Sequence, residues 1–329
     1  FWIPVSATFE HESGETLTDV PGFYSGDGTW TIRFSPTRPG RWEGRTTSND
    51  PALSDVALRP IIGTPNDSQA LHGILSVDPA HPQRFAWSDG TPHLYLGFEC
   101  DWLFAYHQTD SDRCCDSLDL IAERGFSTVI TNVYAHTGFS NPEARGDAEL
   151  PPSESVYGPP PIYVFAGTND EPDHSRLNLD FFEDFDRMMH ALHERGIAVH
   201  LMIQVQNKHV RWPERLTPED NAYWRYVVAR YQAFGNVIWD VGKESYNLLR
   251  ETGSHAYTLS RIELIRHNDA YRHLVTVHDP EAGSPGRYSV IDENCDFHSD
   301  QIHLGDDHRY NREATRMLPG GARERSASH

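Results

Sequence analysis

The sequence predicts a multidomain protein, β and then α/β, in which an N-terminal β-sandwich precedes a TIM-type (β/α)8 barrel that is incomplete. Residues 1–65 show short alternating runs broken by turn residues, which is typical of an all-β unit. From residue 93 onward, strand-like runs alternate with helical patterns, which indicates parallel strands. About six β/α units can be counted, and the tail 318–325 shows no apolar periodicity.

The N-terminal domain, residues 1–65, is predicted from two strands and their turns. The run 29–34 alternates with period two, as a half-buried strand does. Asp27-Gly28 before it predicts a hairpin turn. The run 41–46 is the next strand. Pro21-Gly22, Ser25-Gly26-Asp27-Gly28 and Pro39-Gly40 are interpreted as turns.

A connector, residues 66–92, is predicted to contain a β-hairpin and to lead into a barrel domain at 93–329. Its strand 84–87 is followed by the turn Ser88-Asp89-Gly90. The first barrel strand is expected at 93–98.

The barrel domain is predicted from alternating strands and helices. Five more strands are expected at 128–134, 197–205, 236–241, 273–277 and 296–303. Four helices are expected at 112–124, around 182–192, at 217–234 and at 254–267. The loop 136–177 is rich in Pro, Gly and Asp, and a loop of that length in a barrel predicts a lid or a pocket wall.

The charge of the chain limits its partners. It has 48 acidic and 28 basic residues and a net charge of −20. Phosphate would be repelled, so neither nucleic acid nor an anionic membrane surface is an expected partner. No apolar run reaches the length of about 18 residues that a membrane span needs. A neutral carbohydrate fits, although an acidic surface that serves solubility alone is an equally weighted interpretation.

No cofactor and no metal are predicted. The four cysteines form no C-x-x-C pair, and no phosphate loop or dinucleotide fingerprint occurs. The chain begins Phe1-Trp2 without a visible signal peptide. We expect a secreted or periplasmic location if the precursor carried one, and a cytoplasmic location otherwise.

Several motifs of the first hundred residues carry a family resemblance. The runs VPGFYSGDG at 20–28, IRF at 32–34, PGRW at 39–42 and TSN at 47–49 are similar to an uncharacterised N-terminal sandwich domain. That domain precedes glycoside hydrolases with an apiosidase-like barrel of clan A. The run FAWSDGTP at 85–92 resembles this family's lead into its first barrel strand. Residues 100–305 resemble the family more loosely. The resemblance implies the barrel fold and the broad class of reaction, the hydrolysis of O-glycosidic bonds. We expect the substrate to be a plant or microbial polysaccharide or oligosaccharide and the mechanism to be retaining.

The resemblance also implies a catalytic residue. In clan A barrels the general acid/base is a Glu at the end of the fourth strand, usually preceded by Asn. Here the run 237–244 occupies that place, so Glu244 is the candidate acid/base. Lys243 stands where Asn is usual, and the hydrogen bond to the sugar 2-hydroxyl would pass to its ammonium. A solvated loop acid is the structural alternative for Glu244.

Other strand ends supply candidate substrate-binding residues, because the carboxyl ends of barrel strands meet at one face. Asp101 and Trp102 would offer a carboxylate and a stacking ring, with a helix cap and a core Trp as the alternative. The remaining candidates are Asn132, Tyr134, Gln204, Lys243, Asp279, Gln301 and His303.

The partner carboxylate is missing from the expected pattern. The nucleophile of the family is a Glu that ends a seventh strand, and no such strand is recognised here. Glu313 and Glu324 lie in pattern-free sequence, so Asp279 is the most plausible substitute. A barrel lacking two strands would expose sheet edges, which a homo-oligomer or residues 304–329 would cover.

Two other functions stay open at this point. A non-catalytic carbohydrate-binding or remnant barrel would explain the missing nucleophile. A metal-dependent barrel hydrolase could use His298, Asp300 and His303, but its first strand would usually carry His-x-His rather than Glu99-Cys100-Asp101.

Overall fold

The structure is a computed structural model that describes residues 3–136, 159–279 and 294–300. Its N-terminal region forms an antiparallel sheet in the order β3-β2-β1-β4-β5. The strands of this sheet are β1 (Val5–His11), β2 (Thr16–Gly26), β3 (Thr29–Ile32), β4 (Gly40–Ser48) and β5 (Ile61–Gly63). The two strands predicted for this region, 29–34 and 41–46, are confirmed as β3 and β4. The two-layer sandwich stays a prediction.

The turn predicted at 25–28 is confirmed in its second half, between β2 and β3, whereas the turn predicted at Pro21-Gly22 is wrong. Asp27 and Gly28 both have positive φ, 50° and 73°, and join the paired residues Gly26 and Thr29. Pro21-Gly22 and Ser25-Gly26 lie inside β2. Gly22 allows the side chain of Ile32 to pack closely against β2, because a Cβ at position 22 would lie 2.9 Å from that side chain.

The connector forms a second sheet, made of β6 (Leu75–Val77), β7 (Phe85–Trp87) and β8 (Pro92–His93). Leu75 and Trp87 pack against Ala198, Ile238 and Leu274. These three residues lie at the amino ends of barrel strands, so the connector closes that end of the barrel. His93 belongs to this sheet, and the predicted strand 93–98 is therefore wrong in its first half.

The barrel region contains parallel strands and a hairpin. Its strands are β9 (Gly97–Glu99), β10 (Thr128–Asn132), β11 (Phe165–Gly167), β12 (Pro172–Leu177), β13 (Ala198–Val205), β14 (Val237–Lys243), β15 (Val275–Thr276), β16 (His278–Asp279) and β17 (Ser299–Asp300). One parallel sheet has the order β9-β10-β13-β14-β15, and β16 pairs with β17 in parallel. β11 and β12 form an antiparallel hairpin inside the segment predicted as a loop.

Helices separate the parallel strands. They are α1 (Leu103–Thr109), α2 (Ser111–Glu123), α3 (Leu179–Glu194), α4 (Pro218–Tyr231), α5 (Tyr246–Thr252) and α6 (Ala256–Asn268). The four predicted helices are confirmed as α2, α3, α4 and α6. Thr217 caps α4 by accepting a hydrogen bond from the Asp220 amide, as its sequence indicates. The short helices α1 and α5 were not predicted. No helix of the described ranges is long and apolar enough to cross a membrane.

The main core lies between the parallel sheet and the helices. The predicted apolar face of α3, made of Phe182, Phe185, Met189 and Leu192, is fully buried there. Odd-numbered residues of β13 and β14 pack in the same core, whereas Ala198 and Ile238 pack on the opposite side of the sheet.

A buried ion cluster joins the N-terminal sheet to two barrel helices. Asp186 on α3 binds Arg230 of α4 through two hydrogen bonds of 2.9 and 2.8 Å. Arg33, which follows β3, binds the same carboxylate with both of its terminal nitrogens. Burial alone would raise the pKa of Asp186, but the two guanidinium groups outweigh it and lower that pKa. This cluster fixes how the two regions pack.

We expect Asp186→Asn to lower the free energy of unfolding by about 3 kcal/mol, because removing one partner leaves Arg230 buried without its carboxylate. Because the folded-state pKa of Asp186 is lowered, its contribution is present above the ordinary carboxyl pKa and is lost as the pH falls. Chemical denaturation at neutral and acid pH measures both effects. Asp119→Asn breaks an exposed pair with Arg195 and should change stability little. An equal loss of stability in Asp186→Asn and Asp119→Asn would contradict the stabilising role of the cluster.

Candidate active site

A cluster of charged side chains lies at the carboxyl ends of β9 and β14. The Lys243 ammonium donates to both carboxylate oxygens of Asp101, at 2.9 and 2.8 Å, and to Glu99 Oε1. Two strands, β10 and β13, separate β14 from β9 in the sheet. The side chain therefore crosses the concave mouth of the barrel rather than following the sheet surface.

Strand alternation alone would not place Lys243 there. Val237, Trp239 and Val241 pack in the helix-side core, and Lys243 shares their parity. The backbone amide of Gly242 donates to Asp240 Oδ1 at 2.8 Å. The Lys243 ammonium nevertheless reaches the acids at the end of β9.

Asp101 is the centre of this cluster. Lys208 binds Asp101 Oδ2 at 2.9 Å, and Asn132 donates to Asp101 Oδ1 at 3.1 Å. Burial would raise the pKa of Asp101, but Lys243 and Lys208 outweigh it and lower the pKa to about 2. Burial likewise opposes the charge on Lys243, but Asp101 and Glu99 raise its pKa. Asp101 and Lys243 are therefore both held in their ionised forms.

Glu244 follows β14 directly and has an unusual backbone. Its φ of 54° lies in the left-handed region, which few non-glycine residues adopt and which is often found at functional sites. The chain is fixed on its carboxyl side, where Ser245 N donates to His278 O at 3.3 Å. Asn247 Nδ2 lies 3.4 Å from Glu244 Oε2. The predicted acid/base role of Glu244 stays a prediction.

The structure places Asn132 and Trp102 beside the cluster. The amide nitrogen of Asn132 binds Asp101, while its buried Oδ1 has no partner among the described residues. The ring of Trp102 lies 5.8 Å from Lys208 Nζ. Tyr134 is buried slightly farther along the chain, where its hydroxyl lies 3.3 Å from His136 Nδ1. Burial raises the pKa of Tyr134, so its hydroxyl stays protonated.

Gln204 does not join the cluster, which corrects its predicted role. Its Nε2 lies 3.3 Å from Asp220 Oδ1, and its Oε1 accepts from the Tyr257 hydroxyl at 3.1 Å. Asp220 is fully buried and also binds Trp224 and Arg261 of the helices. The amide of Gln204 thus completes a structural network with α4 and α6.

One predicted residue can be placed only through its backbone, and two cannot be placed. The backbone of Asp279 lies in β16, next to the end of β14. Gln301 and His303 lie outside the described residues.

Several residues of the mouth were not predicted from the sequence. Glu99 and Lys208 belong to the cluster, although both are ordinary charged residues in the sequence. Below them, Asp240 Oδ2 binds His200 Nε2 at 2.6 Å, and His200 Nδ1 lies 2.6 Å from the Tyr95 hydroxyl. An acid inside the apolar run 237–241 is the one signal that could have indicated this network.

Metal binding has no support in the described ranges. No group of three or more His, Cys, Asp or Glu side chains there is arranged to hold a metal ion. The alternative of a metal-dependent hydrolase therefore gains nothing from the geometry.

Family comparisons agree with this architecture. A model of the apiosidase-like catalytic domain matches residues 81–318 of the chain. The chain belongs to the apiosidase-like family. A domain of unknown function, DUF5060, matches residues 2–49. Both matches confirm the resemblance found in the sequence. No curated protein matches the chain.

One solved structure shows the same fold. A protein from Bacteroides vulgatus with a provisional glycoside hydrolase assignment superposes with a TM-score of 0.69 and 24% identity, over 87% of this chain and 53% of its own. This chain thus spans about half the length of that protein. A family 5 glycoside hydrolase from the same organism has a TM-score of 0.41 and 19% identity, over 64% of this chain and 41% of its own. The first likeness shows the TIM-type barrel, and the second adds nothing to it.

The charge cluster of this apiosidase-like barrel makes a testable prediction. We expect the Asp101 carboxyl to stay ionised down to about pH 3, because its pKa lies at about 2. In Lys243→Met its titration should move to higher pH, since one of its two cations is lost. Carboxyl carbon NMR, with the signal assigned through Asp101→Asn, measures this. Arg176→Met removes an exposed cation elsewhere and serves as the control. If the pKa of Asp101 is unchanged in Lys243→Met, the contact between Lys243 and Asp101 is contradicted.

Proposed function

We propose that this chain contains the catalytic domain of a glycoside hydrolase that cleaves O-glycosidic bonds of a plant or microbial polysaccharide or oligosaccharide. Glu244 acts as general acid/base in a retaining mechanism. The observation that carries the proposal is the position of Glu244. It ends the fourth parallel strand in a left-handed conformation, directly after the lysine that crosses the mouth.

In this mechanism Glu244 first protonates the glycosidic oxygen of the leaving group and later removes a proton from the attacking water. A second carboxyl about 5–5.5 Å away forms the glycosyl intermediate. Within the chain, we assign Asp279 to this role. Its support is the backbone contact between Ser245 N and His278 O, which joins the ends of β14 and β16.

Glu99 takes the place of Lys243 in sugar recognition. The three hydrogens of the Lys243 ammonium have three carboxylate oxygens as acceptors, so none remains for a sugar hydroxyl. Glu99 is 41% exposed in its side chain and keeps a second carboxylate oxygen. The cluster pairs two carboxylates with two ammonium groups, and this balance suits a neutral sugar better than a uronic acid.

The domain organisation belongs to the same proposal. We keep the N-terminal sandwich at 1–65, the connector at 66–92 and the barrel from 93 onward. The family matches at 2–49 and 81–318 support this division approximately. The described ranges contain six parallel strands when β15 and β16 are counted as one strand. This number supports the count of about six β/α units.

We expect Glu244→Gln to lower kcat/KM on polysaccharides and on aryl glycosides with poor leaving groups by about 10²–10⁴-fold. Dinitrophenyl glycosides should be affected much less, because their leaving group needs no protonation. Glu251→Gln, an exposed glutamate on α5 that pairs with Arg215, is the matched control and should keep full activity. Full activity of Glu244→Gln would remove the acid/base assignment. Tight glycan binding by the wild-type chain without any turnover would favour the non-catalytic alternative.

The retaining mechanism makes a separate prediction. We expect the first sugar released to have the same anomeric configuration as the substrate, because two displacements restore it. Proton NMR during the first turnovers distinguishes the two anomers. Release of the opposite anomer would show an inverting enzyme and would remove the nucleophile assignment of Asp279.

A further inference from the structure

A long groove lies between the N-terminal sheet and helix α4, apart from the mouth of the barrel. Its volume is about 580 Å³. One wall comes from β1 to β4, and the other runs along α4 from Pro218 to Ala229 and reaches the end of α6. Eleven helical steps correspond to a length of about 17 Å. An elongated groove of this kind fits an extended ligand rather than a compact one.

An aromatic pair forms part of the sheet wall. The rings of Trp30 and Tyr24 lie 5.6 Å apart in an edge-on arrangement. Both side chains are only partly buried, although they line the groove. Flat apolar rings with a polar edge are suited to stack on the C–H face of a sugar.

Polar groups also line the groove. Arg225, Asn49 and His267 are exposed there. Within the described part of the chain, the Arg225 guanidinium has no ion pair, and the Asn49 amide has no side-chain hydrogen bond. Planar donors and acceptors next to an aromatic ring can bind hydroxyl groups in pairs.

The groove is preformed. The Tyr226 hydroxyl on α4 donates to Tyr24 O at 3.0 Å, which ties the two walls together. The cluster of Arg33, Asp186 and Arg230 locks the same two regions. A rigid groove between two regions costs little ordering on binding and is a usual place for a ligand.

The charges favour a neutral ligand and a role in binding. Asp19 is the one acid among the described lining residues, so the groove offers no pair of carboxylates for glycoside hydrolysis. Arg225 balances the charge of Asp19, while the net charge of −20 on the chain repels anionic polymers. We infer that this groove is a second, non-catalytic site that binds a neutral oligosaccharide chain through Trp30 and Arg225.

The test is native affinity electrophoresis in gels containing glucomannan, xyloglucan, arabinan or β-glucan, with polygalacturonate as the anionic probe. The protein carries Glu244→Gln throughout, so that turnover does not consume the probe. Trp30→Ala should weaken binding about tenfold through the loss of stacking. Trp30→Phe, which keeps a ring, should retain most of the binding. Arg225→Ala should weaken binding as well, whereas Arg124→Ala removes an equally exposed arginine outside the groove and should not.

In the otherwise wild-type chain, Trp30→Ala and Arg225→Ala should leave hydrolysis of small aryl glycosides unchanged. If a neutral polysaccharide in the gel retards the protein, and both Trp30 and Arg225 are needed for this, the site is supported. This holds even if the chain hydrolyses nothing. Three outcomes would overturn it: no retention by any neutral polysaccharide, retention unaffected in both variants, or retention by polygalacturonate alone. A dimer that dissociates in Arg225→Ala, measured by light scattering, would overturn it too, because a second copy would then occupy the groove.

Discussion

The bridge from Lys243 to Asp101 is the interaction on which the rest of the candidate site depends. It brings the ends of the first and fourth parallel strands together across the mouth, through hydrogen bonds of 2.8 and 2.9 Å. Glu244 is the next residue, so the same contact sets where its backbone enters the mouth. Buried ion pairs often add little to stability, because the cost of removing charges from water offsets their attraction. We interpret the ion pair between Lys243 and Asp101 as a contact that positions the two strand ends rather than one that stabilises the fold.

A second layer of polar contacts supports the bridge from below. Asp240 is fully buried and accepts hydrogen bonds from the backbone amides of Gly242 and His278, at 2.8 and 3.0 Å. It therefore joins the end of β14 to the end of β16, where Glu244 and Asp279 leave the sheet. His200 binds the other carboxylate oxygen of this acid, and the Tyr95 hydroxyl binds His200 in turn. Such a fully paired network can hold strand ends in one arrangement.

The sequence predicted those parts of the fold that local chemistry determines. Helix α4 is an example, because Thr217, Pro218 and the following acids specify its start within a few residues. The turn at Asp27-Gly28 is another, since both positions need positive φ. Pro21-Gly22 failed because a glycine that serves close packing against Ile32 looks the same, in sequence, as a glycine that serves a turn.

The candidate site was predictable only where a strand end could be recognised. Asp101 and Asn132 were found in this way, and they do contact each other. Gln204 was misplaced because its bonds to Asp220 and Tyr257 depend on how two helices pack, which one sequence does not reveal. Glu99 and Lys208 were missed for the same reason, as their importance comes from a contact across the mouth.

The most direct test of this account is a crystal structure of the Glu244→Gln protein with a neutral oligosaccharide that the wild-type chain cleaves. We expect a glycosidic oxygen within hydrogen-bond distance of the substituted side chain at position 244. A hydroxyl of the adjoining sugar should bind Glu99, and Lys243 should still bridge to Asp101. A sugar bound in the mouth with its glycosidic oxygen away from position 244, or with the Lys243 bridge broken, would contradict the account.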